Sequence, residues 1–365
     1  MPLHETTMKY VERPALKDLA KSLLTRAGLD EEKAEVVSEL LIQTDELGVS
    51  THGISMVPYY VPELETGSMA CTGTYDILVD RGAIMVWDGN YQPGLWLMQQ
   101  AINLAMDRVR EFGVVTVSVR RSHHIGCLST LMRIAAEKGF VCLITTSDPS
   151  GKWVAPFGGT EPTYTPNPWG VGYPTRNLPV LIDFCASITT VSKVRELINT
   201  GAKFDHPWML DGHGAPTKDP TVINQEPMGS ILPVGGVDHG YKGYGLGIMV
   251  EMLTQGLSGY GRAEAPSRWG GNVFLQIIDP DAFAGLDKFT AQVEHFNTLC
   301  RNNRPAPGAG RVRLPGERGY AHMEMTRKTG IPVNSEIWAR LAAIARKYDV
   351  DLPEGREGQH TGEMP

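Results

Sequence analysis

The composition describes an ordinary globular protein and excludes several classes of function. The chain has 365 residues, of which 42% are hydrophobic and 21% charged, and its formal net charge is −7 at pH 7. This charge argues against a nucleic acid as the main partner, because phosphate binding needs a basic surface. No run of about 18 apolar residues is present, so no membrane-spanning helix is predicted. The length exceeds the usual size of one hydrophobic core, so two or more lobes are expected.

The cysteines, the N-terminus and the histidines argue against a disulfide-bonded, secreted or metal-dependent protein. The five cysteines are widely spaced and form no C-x-x-C pair, which is typical of reduced thiols in a cytoplasmic protein. The first five residues, MPLHE, contain no basic segment followed by an apolar one, so no signal peptide is expected. The ten histidines form no H-E-x-x-H or H-x-H pattern, and no catalytic metal is predicted.

Two amphipathic helices are predicted in the first 50 residues. Leucines recur at helical spacing between Leu16 and Leu24. A second apolar stripe runs from Asp30, which is suited to cap a helix, to Gly48. The T-H-G segment at Thr51–Gly53 therefore lies just past the end of a helix.

From residue 75 onward, the pattern changes to strands that alternate with helices. Apolar runs at 77–79 and 84–87 predict a hairpin, and the β-prone run 114–119 leads directly into S-H-H-I-G at Ser122–Gly126. Residues 150–180 are rich in glycine, proline and aromatic residues, which favours an ordered loop that forms a pocket wall. The remaining predicted elements are helices near 94–111, 128–138, 191–199, 244–257, 283–301 and 334–348, and strands at 141–145, 180–184 and 274–278.

The two histidine segments, about 70 residues apart, are the strongest functional signal. Both stand in polar, glycine-containing turns, where histidines of a hydrophobic core rarely occur. Oxidising an alcohol or reducing a carbonyl needs a group that passes one proton near neutral pH, and imidazole, with a pKa of about 6.5, is the usual choice. For His124 the alternative is a structural histidine that caps the helix starting at Leu128.

Six motifs in order resemble the malate/L-lactate dehydrogenase family, a group of NAD(P)-dependent oxidoreductases without a Rossmann fold. This family includes ureidoglycolate dehydrogenase, sulfolactate dehydrogenase and piperideine-2-carboxylate reductase. One match would be weak, whereas six in family order over roughly residues 15 to 350 are specific. The motifs are G-V-S-T-H-G at 48–53, S-H-H-I-G at 122–126, P-F-G-G at 156–159, N-P at 167–168, D-F-C-A-S at 183–187 and K-G-Y-G-L at 242–246.

The resemblance implies an α/β (α+β) fold with a mixed or antiparallel cofactor-domain sheet and a helical lobe built from both chain ends. We expect residues 1–74 and 305–352 to form the lobe, residues 75–304 to form the NAD(P)-binding and catalytic domain, and residues 353–365 to be a loose tail. The glycines at 243–247 are not a Rossmann fingerprint, because no hydrophobic strand precedes them. The family also implies a homodimer with its active site near the subunit interface.

The family's chemistry implies hydride transfer between NAD or NADP and a 2-hydroxy or 2-oxo acid, or a close analogue. His124 is expected to be the proton donor and acceptor, because the family places this residue third in S-x-H-x-G, and His123 is expected to be a bystander. Thr51 and His52 are expected to orient the reacting oxygen. The residues expected to contact the cofactor are Ser147, Asp183, Phe184, Cys185, Lys242, Gly316, Glu317 and Arg318.

Met56 departs from the family pattern, which carries an arginine four residues after the first histidine. Such an arginine binds a substrate carboxylate through two hydrogen bonds. We expect Met56 to line the substrate pocket, with Arg120 and Arg121, or Lys152, as candidates to bind the carboxylate instead.

Two other functions stay open. The chain could reduce a cyclic imine such as a piperideine- or pyrroline-2-carboxylate, because that reaction uses the same hydride and pocket. It could also be a cofactor-binding relative that has lost catalysis, with Met56 as the sign of decay. The joint presence of His52, His124 and Lys242 argues against the second.

Overall fold

The computed structural model of the protein describes residues 7–359. The helices are α1 (Arg13–Arg26), α2 (Glu31–Glu46), α3 (Val57–Glu65), α4 (Gly94–Phe112), α5 (Leu128–Ala136), α6 (Val191–Thr200), α7 (Gly236–His239), α8 (Tyr241–Glu251), α9 (Leu286–Arg301), α10 (Glu317–Thr329) and α11 (Ser335–Tyr348). The strands are β1 (Thr7–Val11), β2 (Asp76–Asp80), β3 (Ile84–Asp88), β4 (Val114–Ser122), β5 (Val141–Ser147), β6 (Pro168–Tyr173), β7 (Val180–Cys185), β8 (Met209–Leu210), β9 (Pro216–Thr217), β10 (Ser230–Ile231), β11 (Gly271–Ile278), β12 (Ile331–Asn334) and β13 (Arg356–Gln359).

A seven-stranded mixed sheet forms the centre of the molecule, in the order β2-β3-β4-β11-β5-β6-β7. Strands β3 and β4 are parallel, and the other neighbouring strands are antiparallel. Val115, Val117 and Val119 of β4 are fully buried, as expected for a β-branched run in a central strand. A Rossmann sheet would be parallel, so the expected non-Rossmann, mixed sheet is confirmed.

Both ends of the chain meet in one lobe, as expected. Helix α1 packs against α2, α3 and α11, and β1 pairs with both β12 and β13 in a small antiparallel sheet. The lobe is therefore not purely helical. The expected loose tail is wrong for Arg356–Gln359, because these residues satisfy the backbone hydrogen-bonding groups of the second edge of β1. Residues 360–365 of that tail and residues 1–6, which carried the signal-peptide expectation, lie outside the described residues.

A hydrogen bond joins the two ends of the chain next to the first histidine segment. The carbonyl oxygen of Glu46, at the last turn of α2, lies 2.8 Å from Nδ1 of the buried His322 on α10. The ring of His322 also packs against Gly48, whose φ is +75°. A carbonyl that the helix leaves without a partner is thus satisfied by the C-terminal part of the chain.

The buried apolar side chains form two separate cores. The first core is shared by the terminal lobe and the central sheet, so packing continues across the expected boundary at residue 74. The second core lies within residues 154–231, around the small sheet β10-β8-β9. Its strands are two residues long, too short for an alternating pattern in the sequence to reveal them.

Several elements differ from the predicted ones. Strand β6 lies within the expected loop 150–180, and α10 was not predicted. Helix α3 was not predicted either. It contains Pro58 and Pro62, and Pro58 stands in the first turn, where its missing N–H costs nothing. Residues 252–256 continue α8 as a π-helical turn. Within residues 7–359, no helix is both long and apolar enough to cross a membrane.

Candidate active site

The fold brings the two histidine segments together. The rings of His52 and His124 stack with their centroids 5.6 Å apart. Trp269, which precedes β11, lies 5.3 Å from the His124 ring and meets the His123 ring edge-on at 4.7 Å. These four rings form a compact cluster, which we call the histidine cluster.

The T-H-G turn is held in place by Asp45, in the last turn of α2. Its carboxyl group accepts a hydrogen bond from the backbone N–H of Ile54 at 2.6 Å. A Cβ atom on Gly53 would lie only 2.0 Å from the same carboxylate, so only glycine fits there. Burial raises the pKa of Asp45 to about 8, although the bond from Ile54 opposes this shift.

The second segment is fixed by the start of α4. A Cβ atom on Gly94 would lie 2.3 Å from the carbonyl oxygen of His123 and 2.5 Å from that of His124. The glycine therefore allows α4 to approach the backbone directly after β4. Gly126, with φ +69°, then turns the chain into α5.

His124 has a single side-chain partner among the described residues. The hydroxyl of Tyr60, on α3, lies 2.8 Å from its Nδ1, and Nε2 makes no hydrogen bond within residues 7–359. Burial, and then the neighbouring His52 and His123, lower the pKa of His124 well below its usual value. The ring is therefore neutral at pH 7, and in the tautomer whose Nδ1–H donates to the Tyr60 hydroxyl it can accept a proton at Nε2.

His123 has the contacts of a packed core residue. Its side chain is fully buried, and Nε2 lies 3.4 Å from a carboxylate oxygen of Glu63. Burial lowers the pKa of His123 to about 4, despite the opposing effect of Glu63.

Thr51 and His52 form a pair that faces Asp183. The Thr51 hydroxyl lies 2.8 Å from Nδ1 of His52. Burial lowers the pKa of His52, and the nearby carboxylate of Asp183 opposes that shift. Asp183 in turn accepts hydrogen bonds from the backbone N–H and the hydroxyl of Ser129 at 2.9 and 3.0 Å. The carboxylate thus lies at the N-terminus of α5, where a helix favours an anion.

Two of the other residues expected to contact the cofactor, Phe184 and Cys185, form the end of β7. Phe184 is exposed, and burial raises the pKa of the Cys185 thiol to about 12. Lys242 is exposed in the first turn of α8. The next residue, Gly243, packs so closely that its Cβ would lie 2.6 Å from the carbonyl oxygen of Ala186. The structure therefore brings the start of α8 to the end of β7.

Two further expected contacts differ in their surroundings. The hydroxyl of Ser147 is buried and is hydrogen-bonded to Thr254 at 2.7 Å and to Gln255 at 3.0 Å, both in the π-helical turn. Gly316, by contrast, lies against Leu181 of β7, and the residues after it, Glu317 and Arg318, begin α10. Of the Ser147 side chain and the segment at Gly316, only the segment at Gly316 is open to a ligand.

The residues expected near the substrate differ in their burial and in their partners. Met56 is 8% exposed and belongs to the main core, next to the T-H-G turn. Arg120 and Arg121 both bind the buried Asp88, with Nε–Oδ distances of 2.8 Å. Their charges are already paired, so a role in binding the substrate carboxylate stays a prediction. Lys152 is exposed.

Sequence analysis missed Tyr60, Trp269 and Asp45. Each contacts a histidine segment only in three dimensions, and none stands in a recognisable motif. It also missed Arg268, a cation close enough to lower the pKa of His123; its guanidinium donates to the carbonyl oxygens of Gly67 and Ser68. Across residues 7–359, no three His, Cys, Asp or Glu side chains are placed to hold a metal ion.

The family model for malate/L-lactate dehydrogenases matches residues 11–342. The chain belongs to this family. The L-lactate dehydrogenase of Cupriavidus necator is 33% identical to it over 344 residues, which are 92% of this chain and 97% of that protein. Malate dehydrogenase from Entamoeba histolytica has the same fold, with a TM-score of 0.89 at 26% identity, over 95% of this chain and 100% of that one.

A reductase is also among the similar structures. The delta1-piperideine-2-carboxylate reductase from Pseudomonas syringae pvar. tomato has a TM-score of 0.80 at 27% identity, and it covers 92% of this chain and 99% of its own. The resemblance drawn from the motifs is thus confirmed. This malate/L-lactate dehydrogenase family member is an oxidoreductase of the class that acts on CH–OH groups, and dehydrogenases of its family use nicotinamide cofactors.

Proposed function

We propose that the protein transfers a hydride between NAD or NADP and a 2-hydroxy or 2-oxo acid, or a close analogue, with His124 as the proton donor and acceptor. The observation that carries this proposal is the state of His124. Its ring is half-buried and neutral, stacks on His52, and is held at Nδ1 by Tyr60. A neutral imidazole at pH 7 is the form that an alcohol oxidation needs.

The residues around β7 fit a nicotinamide dinucleotide. The exposed Lys242 offers a positive charge beside the first N–H groups of α8, and Gly316 lets the start of α10 approach β7 closely. Asp183, Phe184, Cys185, Lys242 and Gly316 to Arg318 would hold the cofactor, and Ser147 would contribute its backbone. When bound, the nicotinamide ring accepts or gives the hydride.

The protein's own groups handle the proton. During oxidation, Nε2 of His124 would take the proton of the substrate hydroxyl. During reduction, the imidazolium returns this proton to the oxygen. Thr51 and His52 orient that oxygen, and Tyr60 keeps the ring of His124 in one orientation. General acid–base catalysis of this kind contributes about 10²–10⁴-fold in rate.

The substrate is proposed to carry an apolar or uncharged group where relatives bind a second carboxylate. Met56 and the ring of Trp269 give this part of the pocket an apolar character. Replacing Met56 by arginine is expected to improve activity on malate-like dicarboxylates. If Met56→Arg leaves that activity unchanged, this role of Met56 is wrong.

The second candidate is reduction of a cyclic imine, favoured by the similarity to delta1-piperideine-2-carboxylate reductase. Purified protein should be assayed with NADH and NADPH against a panel of 2-oxo acids and cyclic imines, with His124→Asn as the control. Turnover of 2-oxo acids that His124→Asn loses is the expected result. Cofactor binding without turnover of any substrate would favour the non-catalytic alternative instead.

The cofactor contact of Lys242 is tested by Lys242→Met. We expect the KM for the cofactor to rise about tenfold, because a charged hydrogen bond is lost, while the substrate KM changes less. Lys288→Met, on the exposed side of α9, is the matched control. An unchanged cofactor KM would mean that Lys242 does not contact the cofactor.

We also propose a cytoplasmic homodimer whose interface lies near the active site. The five cysteines are free, which fits a reducing compartment. Phe157, in the loop expected to be covered, is 40% exposed and lies 6.0 Å from Tyr241 of α8. Tyr241, Ile248 and Met252 are each more than half exposed and extend this apolar surface. A monomer in light scattering with full activity would contradict the dimer.

A further inference from the structure

The segment that follows β5 is held by a single arginine. Arg262, in the connector between the π-helical turn and β11, donates hydrogen bonds to the carbonyl oxygens of Asp148 at 3.0 Å, Pro149 at 3.3 Å and Gly151 at 2.7 Å. It also binds both carboxylate oxygens of Glu251, at 3.0 and 3.1 Å. A guanidinium has five N–H donors, and these five bonds use all of them. A lysine, with three donors on one nitrogen, could not form the same set.

The partner of Arg262 connects this segment to α8. Glu251 is the last residue of α8, the helix whose first turn carries Lys242. The side-chain amide of the buried Asn167, in the N-P motif before β6, donates to Oε1 of Glu251 at 3.0 Å and to a backbone carbonyl oxygen of α8 at 3.1 Å. One carboxylate therefore fixes Arg262, the N-P motif and α8 relative to one another.

The π-helical turn, residues 252–256, holds the same segment at its beginning. Thr254 and Gln255 of this turn are the partners of the Ser147 hydroxyl. Gln255 also accepts, through Oε1, a hydrogen bond from the backbone N–H of Arg262 at 2.8 Å. A Cβ atom on Gly261 would lie 2.2 Å from this oxygen, so a larger residue there would displace the amide. Turns of this kind are rare and occur frequently at functional sites.

Residues 148–151 depend on these contacts for their conformation. They belong to no helix or strand. The carboxyl group of Asp148 binds locally, because it accepts from the N–H and the hydroxyl of Ser150 at 2.8 and 2.7 Å. Apart from the bonds of Arg262, the hydrogen bond that leaves this segment within residues 7–359 runs from the N–H of Asp148 to Thr165, at 3.3 Å. The bonds of Arg262 are charge-assisted and therefore stronger.

We propose that Arg262 is a positioning residue for the cofactor, because it fixes the segment after Ser147 and the helix of Lys242 in the arrangement that binds a nicotinamide dinucleotide. This inference rests on the proposed function, in which both residues contact the cofactor. The N–H groups of Arg262 are all engaged, so it acts through the elements that it joins. Without it, cofactor binding would have to order the segment, and this cost appears as weaker affinity.

Direct binding tests this without depending on catalysis. Fluorescence titration of the full-length protein with NADH and NADPH should show that Arg262→Gln raises the cofactor Kd about tenfold or more, because several hydrogen bonds to the segment are lost. The kcat at saturating cofactor should change by less than about threefold, since Arg262 does not contact the histidines. Arg262→Lys keeps the charge beside Glu251 and should give an intermediate Kd. Arg108→Gln, which breaks a two-bond pair with Asp80 at the edge of the central sheet, is the matched control and should leave Kd unchanged.

Amide hydrogen exchange in the absence of cofactor and substrate is the second readout. Peptides that cover residues 148–153 should exchange faster in Arg262→Gln than in wild type. Arg108→Gln should leave their exchange unchanged. Faster exchange confined to these residues separates a positioning role from a general loss of stability, which would accelerate exchange throughout the protein.

The outcomes separate this inference from the proposed function. A folded Arg262→Gln variant with the cofactor Kd of wild type would overturn the positioning role, and so would an equal rise of Kd in Arg108→Gln. If Arg262→Gln does not fold, a wild-type Kd in Arg262→Lys has the same meaning. Binding of neither NADH nor NADPH by the wild-type protein would refute the proposed function and this inference together. Cofactor binding that depends on Arg262, in a protein that turns over no substrate, would support the positioning role and refute the activity.

Discussion

The histidine cluster and the pair of arginines at the end of β4, Arg120 and Arg121, are built in opposite ways. In the cluster, the imidazoles pack against aromatic rings and burial lowers their pKa values, so they are neutral at pH 7. At the end of β4, both guanidinium groups stay charged beside the buried carboxylate of Asp88. A group that moves a proton must be able to change its charge near neutral pH, whereas a group that forms an ion pair must not. Burial keeps the bases neutral at the first place, and an ion pair keeps the charges at the second.

Replacing His124 is expected to have the largest effect on activity. We expect His124→Asn to lower kcat by about 10²-fold or more with nearly unchanged cofactor affinity, because only the proton transfer is lost. Steady-state kinetics and cofactor titration measure the two effects. His123→Asn is the neighbouring control and should retain much more activity. Wild-type turnover in His124→Asn beside an inactive His123→Asn would mean that the wrong histidine was chosen.

Tyr60 tests whether the cluster depends on a fixed imidazole orientation. Tyr60→Phe removes only the hydroxyl that lies 2.8 Å from Nδ1 of His124. We expect kcat to fall about tenfold with little change in either KM, since the loss of one hydrogen bond to a group that becomes charged acts on the chemical step. Tyr59→Phe, on the exposed side of α3, is the matched control. If both variants behave alike, Tyr60 has no positioning role.

The pH dependence of alcohol oxidation reports on the burial of His124. The reaction needs the neutral imidazole, and a pKa below 6.5 keeps that form present in more acid solution. The rate should therefore stay constant from pH 8 down to 6.5 and fall only below that. The profile of kcat/KM for the alcohol measures this. A half-maximal rate at or above pH 6.5 would contradict a lowered pKa for the catalytic base.

Asp45 gives the smallest expected effect, on stability. Its pKa is raised to about 8 in the folded protein, so between about pH 4 and 8 the unfolded chain has lost a proton that the folded protein keeps. Wild-type stability should then fall as the pH rises through this window. Asp45→Asn, which retains an acceptor for the N–H of Ile54, should gain about 1 kcal/mol or more over wild type at pH 8 relative to pH 5.

Thermal unfolding at the two pH values measures this difference. Asp45→Ala is the control, because it also removes the acceptor and should be less stable at both. A parallel pH dependence of Asp45→Asn and wild type would show that Asp45 is already ionised in the folded protein.

Long periodic elements were predictable from the sequence, and short or irregular ones were not. Helices α1, α2 and α4 and strand β4 carry clear periodicities and lie where they were expected. The two-residue strands of the second core are too short to show an alternating pattern in the sequence. Helix α3 contains two prolines, which are unfavourable inside a helix, so its sequence does not resemble that of a helix.

The same distinction applies to the candidate site. Its histidines stand in local motifs, so the sequence is enough to single them out. The contacts of His124 with Tyr60 and Trp269 join positions far apart in the chain. The pairing of Arg120 with Asp88 depends on the parallel register of β3 and β4, in which these two residues are opposite each other. No local sequence pattern reveals that register. Sequence analysis could therefore not show that both arginines are paired with Asp88.

The bond between His322 and the end of α2 has a consequence for the order in which the enzyme matures. The T-H-G turn is translated early, yet the helix that carries it is capped by a residue more than 270 positions later. Strand β1 likewise finds its partners only in β12 and β13. A nascent chain that has not yet emerged beyond α10 therefore lacks the support for its first histidine. We therefore expect the two histidine segments to reach their final arrangement only when translation is nearly complete.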